Sequence, residues 1–323
     1  MLIALATSLC PHLEPEALLQ TWREAQGHDI ELGLVMDPRL DLPLQRALLE
    51  EAPGGTILQL CVPEQDTRGR PHPSPCSDDH AERHAAGQLL LATVELARRF
   101  GVSQVIVPWV ELALHRSMSE LQRVFARVGT LPLDDVDAER SSFGESIAEQ
   151  LLQWLDPALA NGSTEGVSLL LCTPAVWPHQ APNAPELTRL AMELEGAPLG
   201  LLRGTDWTHA RTHLRGEERV TPQGPAPLPV DVAALCAQSG VALTEQELGL
   251  LPTVGGKKQA APLEVTCLRV ADASGLCLRL PPGLGEVETA LLSQEAADLP
   301  AVLWLDPLSP SELGAALDCL NED

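Results

Sequence analysis

Several residues able to do chemistry fall at the ends of short apolar runs. Arg269 ends the alternation of Val265, Cys267 and Arg269 against Leu268 and Val270, and Asp272 follows where the run stops. Arg203 sits near the end of a run from Pro198 to Gly204, with Asp206 and His209 just beyond it. Trp109 follows a run from Val102 to Pro108, and Asp306 follows Ala301 to Leu305. Carboxylates and imidazoles suit proton transfer or the holding of a divalent cation, which brings Asp206, His209 and Asp306 forward. His209 and Asp306 are the candidate acid and base. The alternative for His209 is an ordinary loop histidine. Arginines suit a carboxylate or phosphate gripped in fork geometry, with Asp306 or Asp272 as counter-charge. Arg203, Arg269, Asp272 and Trp109 are therefore the candidate substrate-binding residues. The competing reading of each arginine is a side chain that extends from a strand end into water.

Such residues act together only if the strand ends converge. Strand-like runs near Leu2 to Leu9, His28 to Leu34, Thr56 to Val62, Val102 to Pro108, Val167 to Cys172, Pro198 to Gly204, Leu263 to Val270 and Ala301 to Leu305 alternate with helical periodicity. The helical stretches are Glu14 to Trp22, Leu44 to Glu51, Asp79 to Phe100, Ser119 to Val128, Glu139 to Leu155, Pro185 to Glu195 and Ser309 to Leu320. This alternation predicts a parallel α/β sheet closed into a (β/α)₈ TIM barrel, whose chemistry gathers at the C-terminal strand ends. Asn161 to Gly166 reads as a Gly/Ser linker. The irregular stretch from about 210 to 261 reads as an insertion between the sixth and seventh strands, since it exceeds an ordinary connection. Gly255-Gly256-Lys257-Lys258 within it lacks the spacing of a phosphate loop and reads as a solvated turn.

Length and composition bound the function. A chain of 323 residues fits one barrel, so 1–323 is taken as a single domain. Forty-five acidic against 21 basic residues give a net charge of −24, which repels a nucleic-acid backbone. The apolar runs fall far short of the ~20 residues of a membrane span, and the N-terminus lacks a basic region before Pro11, so a cytoplasmic protein is expected. The eight cysteines form no C-x-x-C pair. Cys10, Cys61, Cys172 and Cys267 lie on or just after odd-numbered strands and read as buried packing, with a thiolate metal site as the alternative.

Three segments resemble the xylose isomerase-like TIM barrels of sugar-phosphate isomerases and epimerases. ARRFGVSQVIVP from Ala97 is similar to that family's A-x-x-L-G-x-x-x-V-x-V-H, with Phe100 for the Leu and Pro108 for the His. The stretch from Arg269 to Glu288 resembles His-x-Lys-Asp followed by G-x-G-x-x-D, matching at Asp272, Gly283 and Gly285. Asp206-Trp207-Thr208-His209 matches Asp-x-x-His if the strand end bulges; without a bulge Arg203 takes the Asp position. The resemblance implies an isomerase or epimerase of a small polyol or hydroxy-acid, with a divalent Mn, Mg or Zn at the mouth held by Asp206, His209 and Asp306. It also implies substitution of most ligand positions: Cys61 stands for a His, Cys172 for a Glu, Arg269 for a His and Asp306 for a Glu. The cofactor expectation is therefore none or one divalent metal. The alternative is a non-catalytic barrel that binds a small anion or a protein partner.

Overall fold

The computed structural model describes residues 2–6, 31–35, 42–52, 57–64, 66, 68, 70–128, 134–173, 175–208, 210, 263–274, 277–280, 285, 287 and 301–303. In chain order the strands are β1 (Leu2–Ala6), β2 (Glu31–Val35), β3 (Ile57–Cys61), β4 (Gln104–Val107), β5 (Val110–Glu111), β6 (Ser168–Thr173), β7 (Gln180–Ala181), β8 (Leu199–Gly204), β9 (Val265–Val270), β10 (Asp272–Ser274), β11 (Cys277–Leu280) and β12 (Ala301–Leu303). The described helices are α1 (Leu42–Glu51), α2 (His80–Arg99), α3 (Met118–Val128), α4 (Asp134–Glu165) and α5 (Ala184–Glu193).

Eight parallel strands close into a barrel in the order β1, β12, β9, β8, β6, β4, β3, β2, with β1 pairing to both β12 and β2. Each overlaps the run expected of it, with β2 and β6 extending one residue further at Val35 and Thr173. Alternation along the strands separates two cores. Leu60, Val105, Val107, Leu169, Leu171, Leu268 and Val270 face the helices with Leu90, Val94, Leu151 and Leu155. Val35, Cys61, Ile106, Leu170, Cys172, Leu202, Cys267 and Val302 belong to the second cluster, inside the barrel. Within it the Gln59 amide donates to Gln104 Oε1 at 2.6 Å and approaches Cys267 Sγ at 3.2 Å.

The helix ends follow local chemistry. Asp79 caps α2 by accepting the Ala81 N–H at 2.8 Å, and Gly101, at φ 71°, terminates it in a conformation that a β-carbon disfavours. Asn183 and Glu186 form a reciprocal capping box at the start of α5. Two expectations need correction. The Asn161–Gly166 linker is instead the last turns of α4, which runs to Glu165 and carries Pro157 inside it. The buried face made by Ile147, Leu151, Leu155 and Ala158 carries the helix on past a sequence whose local preference is to stop. The strand exit at Asp272 is not a simple turn, since β10 and β11 pair antiparallel as a hairpin, Asp272 opposite Leu280. The first and last expected helices and, apart from residue 210, the expected 210–261 insertion lie outside the described residues.

Candidate functional site at the C-terminal barrel mouth

Register decides which of the two arginines faces the axis. Gly204 and Val302 are the neighbours of Arg269, placing it with the interior set, whereas Arg203 is in register with Leu268 and Thr173 on the helix-facing side. The two therefore lie on opposite faces of adjacent strands. Both are buried, at 6% and 2% exposure, so neither extends into water as a strand-end arginine would.

Arg269 is fixed on two sides. Its Nη2 donates to Asp206 Oδ2 at 3.1 Å, and its guanidinium lies 4.3 Å from the centre of the Trp207 ring. Trp207 in turn meets Trp109 with ring centroids 4.3 Å apart and planes tilted by 56°. Gly204 makes this possible, because a β-carbon there would stand 2.3 Å from the Trp207 ring. The loops that carry these residues are pinned close by. Thr205 Oγ1 donates to the Ala271 carbonyl at 2.6 Å and accepts the Ala271 N–H at 3.2 Å, while Thr208 Oγ1 donates to the Gly204 carbonyl at 2.9 Å. The Trp109 indole nitrogen is buried and meets no hydrogen-bond acceptor among the described residues. An indole N–H only donates, so an acceptor brought to the mouth would complete it.

The connections after β4 and β6 close over this site. β5 pairs with β7, the Leu112 N–H donates to the His179 carbonyl at 2.7 Å, and the His179 ring bonds to the Arg116 carbonyl. Beneath them Arg140 grips Glu186 with bonds of 2.9 and 2.8 Å, both residues almost fully buried, and also donates to the Pro178 carbonyl. Burial holds the Glu186 carboxyl above its usual range against the opposing pull of Arg140, and holds the guanidinium below its own. Desolvation outweighs attraction for both partners, so the contribution of this pair is to position the loops. Leu121, Val136, Val176 and Trp177 then pack over the interior set.

Burial likewise keeps the interior thiols neutral. Cys267 is pushed up to about 11 by desolvation, with the Gln59 amide opposing, and Cys172 is raised further by the same cause. Such thiols are packing groups, since the thiolate is the form that ligates metal or attacks. Cys61 is also in the interior cluster; Cys10 lies outside the described residues.

Of the residues expected at the site, Arg269, Asp206 and Trp109 come together around Trp207, and Arg203 does not join them. Asp272 opens β10 at the same strand end. His209 and Asp306 lie outside the described residues, and with them the expected pairing of Arg269 with Asp306; among the described residues Arg269 bonds Asp206. Trp207, Gln59 and the Arg140–Glu186 pair carried no signal by themselves. Only the position of Trp207 inside the Asp206–His209 motif pointed toward it.

Of the expected metal set, only Asp206 is among the described residues. Among the described residues no three His, Cys, Asp or Glu side chains gather to hold one. The one expected ligand present, Asp206, already bonds a guanidinium, and a cation beside it would be repelled by about 4 kcal/mol per unit charge at ~4 Å.

A parallel barrel with its polar residues at the C-terminal strand ends is the arrangement of the α/β-barrel enzymes. No family profile and no curated protein matches the chain. Solved structures do. A putative xylose isomerase from Rhodospirillum rubrum is 13% identical with a TM-score of 0.60, over 99% of this chain and 98% of that one. The TTHB071 protein of Thermus thermophilus, soaked with ZnCl2, is 17% identical at 0.55, over 99% and 98%. The 3-keto-D-glucoside 4-epimerase of E. coli is 14% identical at 0.52, over 99% and 97%. The chain therefore has the fold of the xylose isomerase-like, sugar phosphate isomerase/epimerase TIM barrels.

Proposed function

We propose that this barrel is a sugar-phosphate isomerase/epimerase-like protein that takes a small polyol or hydroxy-acid at its mouth. In this reading the Arg269–Asp206 pair on Trp207 stands where the resembling family keeps metal ligands. The carrying observation is the guanidinium held at the strand ends by Asp206 and Trp207. A ligand carboxylate or oxyanion would take a share of the Arg269 donors and the Trp109 N–H. Arginine stays protonated throughout the working pH range, so it would supply fixed positive charge to an enediolate-type intermediate without a metal. Asp306 and His209 remain the proposed acid and base, with Asp272 and Arg203 as further substrate-binding candidates. The reading takes 1–323 as one cytoplasmic domain with no nucleic-acid or membrane partner.

A second reading, a non-catalytic barrel that binds a small anion or a protein partner, is favoured by the apolar cover of Leu121, Val176 and Trp177 over the interior. Incubation with candidate ketoses, aldoses and hydroxy-acids in D2O separates the two. Solvent deuterium entering at the carbon beside the carbonyl or carboxylate, in metal-stripped protein, supports the enzyme. Anion binding without exchange supports the second reading. Stoichiometric metal in the purified protein, with activity lost on its removal, would sink the metal-free site.

A further inference from the structure

A groove of about 260 Å³ runs along the outside of the barrel between α2 and α4, lined by none of the residues placed at the mouth. It is built from two helical stripes that face each other. His80, His84, Gly87, Gln88 and Leu91 recur at three- and four-residue steps along α2, and Gln150, Gln153, Trp154 and Pro157 do so along α4. Trp154 ties the stripes together by donating its indole N–H to the Ala86 carbonyl at 3.2 Å.

Two of the residues that line this space are locally wrong for their helices. Glycine and proline are the poorest residues for a helix interior, yet Gly87 lies within α2 and Pro157 within α4. A β-carbon at Gly87 would meet nothing within 4 Å, so the missing side chain is groove volume rather than relief of a clash. Pro157 has no N–H to return to the Gln153 carbonyl, which takes the helix's own donor away from an acceptor on a lining residue.

The lining chemistry names a ligand class. No lining residue is acidic, in a chain with 45 Asp and Glu. Arg83 closes one end, fixed by donating Nη1 to the Ser77 and Asp78 carbonyls at 2.6 and 2.9 Å. The three glutamine amides each offer a donor and an acceptor, as hydroxyl groups do, and Trp154 gives a flat apolar wall. We propose that the α2–α4 groove binds a small anionic polyol, a sugar phosphate or sugar acid, with its anionic group at Arg83 and its carbon skeleton against Trp154. The volume is below the ~300 Å³ at which drug-sized pockets begin, which suits a ligand the size of a monosaccharide. The site is separate from the mouth and goes beyond the function proposed for it.

Calorimetric titration of the whole chain with glucose 6-phosphate, gluconate, glucose and inorganic phosphate tests this. Glucose 6-phosphate or gluconate should bind about ten-fold more tightly than glucose, a charge-assisted hydrogen bond being the difference. Gly87→Leu should remove the groove's equivalent of that binding with an unchanged circular dichroism spectrum, and Gln153→Ala, at an exposed position, should weaken it. Arg83→Gln should remove the preference for the anionic ligands. An Arg269→Lys protein should bind in the groove as the parent does, which separates this site from the mouth. Failure of both anionic sugars to bind, or a number of bound equivalents and an affinity left unchanged by both Gly87→Leu and Gln153→Ala, would overturn the proposal. Inorganic phosphate binding as tightly as glucose 6-phosphate would overturn the polyol part.

Discussion

Arg269 carries the site because everything that holds it is buried. Replacing it by Ala leaves the Asp206 carboxylate, at 0% exposure, without this cation, so a cost of roughly 3–5 kcal/mol is expected. The loss would confuse any binding measurement. The double substitution Arg269→Met with Asp206→Leu removes both charges and should recover most of that stability in a urea melt while still failing to bind hydroxy-acids. A double variant no more stable than Arg269→Ala would show that the pair is not the energetic unit. The thiols give a second prediction at this scale. An ordinary thiol ionises near 9.0, whereas Cys267 in the folded chain does so near 11. The neutral form is therefore favoured by folding: stability is held below pH 9 and lost as pH rises toward 11, by on the order of 2 kcal/mol. Cys267→Ala should lose less over that interval in denaturation curves. Native protein should also leave Cys172 and Cys267 unlabelled by iodoacetamide at pH 8 until urea is added.

At the level of elements, the mouth depends on contacts between the connections and the strands. Gly204→Ala puts a methyl group into the Trp207 ring and should cost about 1–3 kcal/mol, with a changed tryptophan emission as the ring leaves Arg269. Unchanged emission and melting temperature would mean that the ring is held elsewhere. Glu186 serves two structures at once, the grip on Arg140 and the capping box with Asn183. Glu186→Gln can still close the box while it loses the charge, whereas Glu186→Ala loses both. The alanine variant should be the less stable of the two by about 1 kcal/mol, the usual worth of a cap. Equal melts for the two would leave the box without a measurable contribution.

For the molecule as a whole, two features set behaviour in solution. The first strand bonds to the last, so the ends of the chain must meet before the sheet is complete, and long-range closure of this kind makes for slow folding. Among the described residues no helix is long and apolar enough to cross a membrane. The net charge of −24 works against compaction through self-repulsion that salt screens within about 10 Å at 0.1 M. The melting temperature should therefore rise as sodium chloride is raised from about 0.01 to 0.1 M, where the Debye length shortens roughly three-fold. A fall over the same range would show that attractive ion pairs outweigh the repulsion.

The eight strand runs were legible in the amino-acid order because a strand buried on both faces of a closed sheet must be apolar almost throughout, as in Val105–Val107 and Leu169–Cys172. The alternation of β9 likewise declared that Cys267 and Arg269 share a face. What one strand cannot declare is which residue on its neighbour lies beside it. Arg203 and Arg269 looked alike as basic residues near strand ends. Only the β8–β9 register, with its shift between Leu201 and Leu202, sent one to the helices and the other to the axis. The choice of Asp206 as partner to Arg269, 63 positions away, was equally hidden, as was the need for Gly204 to admit the Trp207 ring. The extension of α4 through Pro157 was hidden too, because packing of its buried face outweighs a local preference that is all the sequence displays. Periodicity is a property of one segment and can be read along it. Register and the contacts across a barrel mouth belong to pairs of segments, and they exist only once the sheet has closed.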